Sequence, residues 1–338
     1  MITIKEIARL AGVSAKTAER ALSGVTKDKR RDARERADRV RLIAAAHGYR
    51  PNELALALRR GSTRSFGFLV DILTDQFLSA AVETAIDEAG KRDYKVALRL
   101  ARFDRQQSAE AIEAFLASGM EGIITSCTEE QLPREVMKSL EKRHFPVFTL
   151  CGRREWEFSS AAPDYSEALP QAVENLVRRG HKKITLCLFR GKELDNPVTE
   201  KIFRAACGEL GVTPDVRIHH ERKQAAGLAD EKLPAVILYG KYSMRIYLDR
   251  CRELDFRSDV VGFYNEWTMA AAQTFGLCGI ILERAEETVR SAVRQLCDEC
   301  DGSAPVRHLS IKAAFIPENE FALLKVADLA NQMLFEQP

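Results

Sequence analysis

A chain of 338 residues is long enough to form two or three domains with hydrophobic cores of their own. Its hydrophobic fraction of 46% is that of a globular protein. No run of about 18 apolar residues occurs, so we expect no membrane-spanning helix and no membrane partner. The first 64 residues carry 16 lysines and arginines against 7 acids, whereas the remainder carries 35 against 42. This asymmetry indicates a polyanionic partner for the N-terminal region, although a solvated basic surface would give the same charge.

The N-terminal sequence MITIKEIARL is charged throughout and precedes no cleavage site, so we expect no signal peptide and a cytoplasmic protein. The eight cysteines lie mostly in apolar runs, where cysteine packs as a small hydrophobic residue, and no disulfides are expected. Cys297 and Cys300 form a C-x-x-C pair, but His219 and His220 are adjacent and do not have the spacing of a second ligand pair. The sequence therefore predicts neither a metal site nor a cofactor.

Three short helices are predicted in a first domain, residues 1–50. The first follows a T-x-x-E capping box at Thr3 and ends at a glycine, and the second follows Ser14, a residue type that caps helices. Apolar residues recur at helical spacing on one side of each helix, so the three can share a small core. The tight glycine turn between the first two makes them a helix-turn-helix.

The second helix, over about residues 15–23, has side chains suited to the DNA major groove. Its leading face is thin at Ala15, Lys16 can donate to guanine O6 or N7, and Arg20 can bind guanine or phosphate. Ser14 and Thr17 can bond phosphates or base edges. These residue types predict DNA binding, although an ordinary amphipathic surface helix would show the same pattern.

The first domain closely resembles the headpiece of the LacI/GalR family of bacterial transcription regulators. The resemblance rests on TIKEIARLAGVS, its T-x-x-R-x-L-S-G continuation, Arg39-Val40 and GYRPN, and it covers nearly all of residues 2–64. It implies that Ala15 and Lys16 contact base edges. It also implies that the headpiece is fixed on double-stranded DNA by Thr3, Ser14, Thr17, Arg20, Asn52 and Ala55.

Two features depart from the family pattern. Glu19 stands where the family usually has serine, so its carboxylate must pair with Arg20, accept from a cytosine amino group or weaken binding. The segment VTKDKRRDARER is also longer than usual, by about four residues. Its basic side chains could contact phosphates, or the segment could be a merely mobile basic loop.

Residues 51–63 form a predicted hinge. The sequence PNELALALRRG has a capping Asn52, an apolar run and a terminating Gly61, but such a helix is too short to be stable alone. The resemblance implies that it folds when two copies meet over the centre of a palindromic operator, with Leu58 as a wedge in the minor groove. The alternative is a linker whose leucines pack on the next domain.

Residues 64–320 alternate buried strands with helical stretches. FGFLV, KVALRL, GIIT and PVFTL form a first block, and ITLCLF, AVILY and VVGF form a second. The alternation predicts two lobes of parallel sheet with a cleft between them, and residues 308–316 are expected to form one late strand. The order of segments resembles the family's periplasmic-binding-protein-like effector domain. The predicted fold class is an all-α helix-turn-helix headpiece followed by this two-lobed α/β domain.

A ligand is expected at the carboxyl ends of these strands. By the resemblance, sugar-binding members usually have arginine at Thr199, Asn-Asp at Gly240-Lys241 and Asp-Asp at Tyr264-Asn265. The groups that bind sugar hydroxyls are thus replaced by cationic and aromatic ones, and we expect an anionic effector such as a phosphorylated sugar or a carboxylate. The alternative is a degenerate cleft. The predicted effector-binding residues are Asp75, Phe77, Arg153, Thr199, Lys241, Tyr264 and Trp267.

No catalytic signature such as G-x-S-x-G or H-E-x-x-H occurs, so we expect no enzyme. The expected function is a homodimeric DNA-binding repressor tuned by a small molecule. The alternatives are an effector-independent DNA-binding regulator and a sensor whose first domain binds another protein. The tail, residues 321–338, holds only about two heptads, so packing on the body is favoured over a tetramer-forming coiled coil.

Overall fold

The computed structural model of the chain describes residues 2–22, 31–50, 52–74, 76–150, 157–189, 196–219, 224–265 and 276–321. The chain divides into two compact units, Met1–Arg64 and Ser65–Pro338. None of the helices in the described ranges is long and apolar enough to cross a membrane.

The described part of the first unit is helical throughout its regular structure. The capping box predicted at Thr3 is present: its hydroxyl accepts the Glu6 amide, and the Glu6 carboxylate accepts the Thr3 amide. The first helix ends at Gly12, whose φ of 65° lies in the left-handed region that glycine adopts most readily. The helices are α1 (Ile4–Ala11), α2 (Ala15–Leu22), α3 (Arg31–Ala46) and α4 (Glu53–Arg60).

Alanine dominates the core that α1, α2 and α3 share. Ile7 and Val40 are fully buried and supply most of its bulk. Small side chains let the helix backbones approach closely, so three short helices can bury a common core as the sequence predicts. The remaining buried residues are Ala8, Ala11, Ala18, Ala21, Ala37 and Ala44.

The second unit alternates strands and helices. In chain order its elements are β1 (Ser65–Val70), α5 (Gln76–Gly90), β2 (Lys95–Leu100), α6 (Arg105–Ala117), β3 (Gly122–Thr125), α7 (Arg134–Lys142), β4 (Val147–Thr149), β5 (Ser159–Asp164), α8 (Ala168–Arg178), β6 (Lys183–Phe189), α9 (Asn196–Glu209), β7 (Thr213–His219), α10 (Gln224–Asp230), β8 (Ala235–Leu238), α11 (Lys241–Glu253), β9 (Asp259–Asn265), β10 (Gly279–Glu283), α12 (Ala285–Cys300), β11 (His308–Lys312) and β12 (Ala314–Pro317).

These strands form two six-stranded sheets, which define two lobes. The N-lobe sheet has the order β11-β5-β4-β3-β1-β2, and the C-lobe sheet has the order β12-β10-β9-β8-β6-β7. Neighbouring strands are parallel except β12, which runs antiparallel to β10. Each sheet is covered on both faces, by α5 and α12 opposite α6 and α7 in the N-lobe and by α8 and α9 opposite α10 and α11 in the C-lobe.

Within the described residues, the chain crosses between the lobes three times. It leaves β5 for α8, returns from β10 to α12, and leaves β11 for β12. The expectation of one late strand over residues 308–316 is therefore wrong. Ala313 separates two strands that belong to different sheets, and its amide donates to the Asp164 carbonyl at 2.9 Å across the crossover.

Candidate functional site

The start of α2 is organised by Ser14. Its hydroxyl oxygen accepts the Thr17 amide at 3.1 Å and lies 2.8 Å from the Thr17 hydroxyl, which is the N-cap arrangement expected from the sequence. Ala18 and Ala21 are buried on the inner side of the helix, whereas Ala15, Lys16 and Thr17 are exposed. The outer face of α2 therefore presents a lysine ammonium beside small and hydroxylated side chains.

Other polar contacts fix the surroundings of that face. Arg41 of α3 donates to the carbonyl of Ala21 at 3.3 Å and to Asp38 at 2.9 Å, which ties α3 to the end of α2. Arg20 is exposed, and Glu19 is half-buried. Thr3 is exposed, but its hydroxyl is also within 2.9 Å of the Glu6 carboxylate, so its predicted role on DNA is combined with capping.

The hinge segment is helical in the structure. Asn52 accepts the Ala55 amide at 3.2 Å and so caps α4, and Gly61 follows the helix with a φ of 67°. Leu58 is 85% exposed on this helix, and Ala55 is half-buried. Covering such an exposed apolar side chain with a partner surface would be favourable in free energy.

The crossovers between the lobes begin at the carboxyl ends of strands in both sheets. β5 ends at Asp164, β10 ends at Glu283 and β11 ends at Lys312, each directly before the chain changes lobe. Strand β12 starts beside Leu282, close to the carboxyl end of β10. The carboxyl edges of the two sheets therefore face each other, which is the arrangement that binds ligands in open α/β folds.

A buried carboxylate stands at the N-lobe edge. Asp71 directly follows β1, is 6% exposed, and accepts the Phe103 amide at 3.0 Å with its carboxylate. Its carbonyl accepts the Arg102 amide at 3.0 Å, and both Arg102 and Phe103 have positive φ, at 52° and 60°. The Phe103 side chain is 58% exposed. Two successive left-handed residues without glycine are strained, and such strain concentrates at functional sites.

Cys127 lies beside this carboxylate, after β3. Its sulfur is 3.7 Å from Asp71 Oδ1, and burial, reinforced by the Asp71 charge, raises the pKa of its thiol to about 12. Cys127 is thus an inert thiol. Neither Asp71 nor Phe103 was predicted from the sequence, although a carboxylate directly after the buried run FGFLV was a signal for the first of them.

On the C-lobe edge, α11 begins with an open N-terminus. Its N-cap is Gly240, with a φ of 92°, no side chain caps the helix, and its first turn contains no acid. The helix dipole makes this end of the 13-residue helix favourable for negative charge.

Two family models match the sequence. "Bacterial regulatory proteins, lacI family" matches residues 3–52, and "Periplasmic binding proteins and sugar binding domain of LacI family" matches residues 63–232, half of the chain. The chain belongs to the LacI family. This confirms the resemblance and the fold class inferred from the sequence. The LacI family is one of regulatory proteins rather than enzymes, in agreement with the missing catalytic signatures.

Curated LacI-type relatives match over part of their length. The NTD biosynthesis operon regulator of Bacillus subtilis is 27% identical over 67% of this chain and 65% of its own. The HTH-type transcriptional regulator PtxS of Pseudomonas putida is 30% identical over 54% of this chain and 52% of its own. The chain thus spans between half and two thirds of these relatives.

Solved structures share the fold over most of this chain. The Lac repressor dimer bound to operator and the anti-inducer ONPF has a TM-score of 0.72 at 16% identity and covers 93% of this chain and 97% of its own. The Caulobacter myo-inositol binding protein has a TM-score of 0.63 at 16% identity and covers 78% of this chain and 96% of its own. The described sheets and crossovers have the same architecture.

The predicted effector residues of this LacI member fall into three groups. Thr199 and Tyr264 are each 2% exposed, and Tyr264 packs into the C-lobe core with its hydroxyl 3.4 Å from the Met244 sulfur. Their burial disfavours direct ligand contact without a rearrangement. Phe77 is half-buried at the start of α5. Outside the described residues or side chains lie Asp75, Arg153, Trp267 and the side chain of Lys241.

No group of three or more His, Cys, Asp or Glu side chains that could hold a metal ion occurs within the described ranges. Six of the cysteines there are buried, and Cys300 is half-buried. The C-x-x-C pair lies at the end of α12 with both sulfurs turned into the N-lobe: Cys297 is fully buried and Cys300 approaches the Glu121 carbonyl at 3.3 Å.

Proposed function

We propose that this protein is a transcriptional repressor that binds operator DNA through α2 and releases or tightens that grip when a small molecule binds between its lobes. The observation that carries the proposal is the outer face of α2, where Ala15, Lys16 and Thr17 are exposed on a helix anchored by the Ser14 cap. Such a protein acts on the nucleoid, in the bacterial cytoplasm.

The chemistry of α2 suits the major groove. Ala15 is small enough for close approach, and the Lys16 ammonium can donate to both O6 and N7 of a guanine. Arg20 and the hydroxyls of Ser14 and Thr17 are suited to phosphates, which position a headpiece without reading sequence. The net charge of +9 on the first 64 residues, from 16 basic and 7 acidic side chains, supplies the salt-dependent part of the affinity.

A homodimer on a palindromic site follows from the geometry of a single helix-turn-helix. One headpiece contacts a few base pairs, and two related by a twofold axis contact two half-sites. The α4 helix has only eight residues, too few for a stable isolated helix. Pairing of two α4 helices over the operator centre would stabilise them and place two Leu58 side chains against the minor groove.

The effector is proposed to be an anion, such as a phosphorylated sugar or a carboxylate. The N-terminus of α11 supports this, because it is uncapped, contains no acid in its first turn, and carries Lys241 as its first residue. An anion there would accept backbone amides and a charge-assisted hydrogen bond from the ammonium. The buried Asp71 on the opposite edge would restrict where a negative group can lie.

The burial of Thr199 and Tyr264 favours a second candidate. With these predicted contacts inside the C-lobe core, the protein would bind operator without responding to a ligand. The two candidates share the same headpiece chemistry and differ only at the sheet edges, so separate experiments are needed for each.

The operator proposal is tested by sequencing DNA selected with the purified chain and comparing Lys16→Ala with Lys201→Ala. Lys201 is exposed on α9, so its loss changes the net charge equally without touching the headpiece. We expect Lys16→Ala to weaken binding to the selected site by about 1–3 kcal/mol and to relax one base position. If Lys16→Ala weakens DNA binding equally on all sequences, Lys16 contacts phosphate and not a base. If the selection yields no preferred sequence, operator binding is refuted.

The effector proposal is tested by calorimetry with glucose 6-phosphate, gluconate and glucose, on the wild type and on Lys241→Ala. A charge-assisted hydrogen bond is worth about 1.5–3 kcal/mol, so Lys241→Ala should weaken the anions by about ten- to a hundredfold and leave glucose unaffected. Tight binding of glucose that does not change in Lys241→Ala would refute the proposal of an anionic effector. An operator affinity unchanged by every compound would favour the ligand-independent candidate.

A further inference from the structure

The three crossovers are joined to one another by side chains. Tyr165, the first residue after β5, is 3% exposed, and its hydroxyl donates to the carboxylate of Glu283, the last residue before the second crossover. The first crossover is thereby bonded to the second. The Tyr165 ring packs edge-on against Phe263 of β9, with ring centres 5.2 Å apart, so the hydroxyl is held in place by the C-lobe.

The first crossover is also bonded to the third. The Lys312 ammonium, at the end of β11, pairs with the carboxylate of Glu167, and the Ala313 amide donates to the Asp164 carbonyl at 2.9 Å. Lys312 and Glu167 are exposed, so their ion pair is weak as a contribution to overall stability. Because this ion pair joins two crossovers, it can instead restrict their movement relative to each other.

Lobe rotation in a two-lobed protein requires backbone dihedral changes in every segment that joins the lobes. Crossovers without mutual bonds could combine their dihedral changes in many ways, and the lobes would sample many relative angles. Bonds between crossovers make such independent changes costly, because a change in the first or second crossover alone would separate the hydroxyl of buried Tyr165 from the carboxylate of half-buried Glu283.

We propose that Tyr165 and Lys312 form a latch that couples the three crossovers and restricts the angle between the lobes. The latch goes beyond the proposed function, because it concerns the ligand-free protein and needs no operator. Its consequence, a defined response of the headpieces to lobe closure, rests on the proposed function.

The latch is tested by measuring the distance between the lobes by pulsed electron paramagnetic resonance. Spin labels are attached at Glu113→Cys on α6 and Ala205→Cys on α9, both exposed positions in different lobes. The parent carries Cys151→Ser and Cys300→Ser; the other cysteines in the described ranges are buried and react slowly. The labelled protein is mixed with excess unlabelled protein, so that a dimer contains at most one labelled chain.

In this parent, Tyr165→Phe removes only the hydroxyl and keeps the ring on Phe263. We expect the width of the distance distribution to increase about twofold or more, because the crossovers can then change separately. Lys312→Gln, at an exposed pair that is not needed for folding, should broaden the distribution in the same direction. Tyr247→Phe is the matched control: its hydroxyl bonds the Leu233 carbonyl and Ser258 inside the C-lobe, both at 3.0 Å.

The control should lower the melting temperature and leave the distance distribution unchanged. Distributions of Tyr165→Phe and Lys312→Gln that superimpose on the parent would overturn the latch. Broadening by Tyr247→Phe to the same extent would overturn it too, because general loosening would then explain the result. Since neither DNA nor effector is present, failure of operator binding leaves this outcome unaffected, and failure of the latch leaves operator binding unaffected.

Discussion

Asp71 accepts an amide from the segment that follows the neighbouring strand, and this contact shapes the edge of the N-lobe sheet. The carboxylate takes the Phe103 amide while the Asp71 carbonyl takes the Arg102 amide, both at 3.0 Å. Two residues with positive φ are thereby held in a tight turn, and the Phe103 ring is left exposed. The buried charge serves to hold a strained backbone.

We expect Asp71→Ala to accelerate hydrogen exchange of the Phe103 amide and to lower the free energy of unfolding by about 1–3 kcal/mol. The amide loses its acceptor while the left-handed residues remain strained. Asp71→Asn is the control, because its amide oxygen can still accept, and its effect should be smaller. Exchange at Phe103 that is the same in Asp71→Ala and the wild type would show that the turn forms without the carboxylate.

For single residues, the sequence predicts side-chain direction in an amphipathic helix but not at the end of an apolar strand. Lys16 and Thr17 are exposed on α2 as predicted, because helical periodicity fixes which side of an amphipathic helix is buried. Tyr264 was placed at the end of a strand, where one step along the chain reverses the face of the sheet. The sequence VVGFYN is apolar nearly throughout, so no alternation indicated that Tyr264 would be buried against Met244.

At the scale of elements, most buried strands and the edge strand β2 were predicted, whereas β5, β7 and the interior strand β10 were missed. GIIT and KVALRL match β3 and β2 residue for residue. Sequence analysis did not identify β7, an edge strand whose TPDVRIH has a proline and no clear alternation, or β5, whose SSAAPD consists mainly of small residues. The boundary at Ala313 was missed because no glycine, proline, asparagine or aspartate interrupts HLSIKAAFI.

The α5 and α12 helices of the N-lobe are joined by one buried carboxylate with three cationic partners. Glu88 has a side chain that is only 5% exposed. Its partners are Lys91 at 2.7 Å, Arg290 at 3.0 Å and Arg294 at 2.7 Å. Hydrogen bonds from Lys91, assisted by those from the two arginines, outweigh desolvation and lower the Glu88 pKa to about 2.

The lowered pKa predicts a defined pH dependence of stability. Because the folded-state pKa lies below the unfolded one, the contribution of Glu88 is fully present above about pH 4.5 and is lost as the pH falls towards 2. We expect Glu88→Gln to be less stable than the wild type at pH 7 in urea unfolding, with a difference that shrinks between pH 5 and pH 2.

Glu174→Gln is the control for that experiment, since Glu174 pairs with Arg178 at 4.0 Å on the surface and its side chain is 51% exposed. Its small effect should not vary with pH in the same way. A stability difference for Glu88→Gln that stays constant down to pH 2 would mean that packing of the side chain, and not its charge, joins α5 to α12.

At the scale of the whole molecule, a basic N-terminal region that ends with the short helix α4 precedes an acidic remainder. The first 64 residues have 16 basic against 7 acidic side chains, and the rest has 35 against 42. The acidic remainder repels phosphates, so the headpiece alone is attracted to a duplex. A segment at the boundary of such regions is suited to contact the operator centre. In this chain that segment is α4, which exposes Leu58.

Insertion of Leu58 between base steps would unstack them and bend the duplex, at a cost of a few kcal/mol that burial of the leucine and added contacts offset. We therefore expect Leu58→Ser to leave the melting temperature unchanged, since the side chain is 85% exposed, and to weaken binding to a spaced palindrome. Electrophoresis with phased bends measures the angle, which should decrease. Leu42→Ser, at a residue 71% exposed on α3, removes a comparable exposed leucine outside the hinge and should preserve the angle. An unchanged bend with Leu58→Ser would exclude the wedge and favour a hinge whose leucines pack on protein.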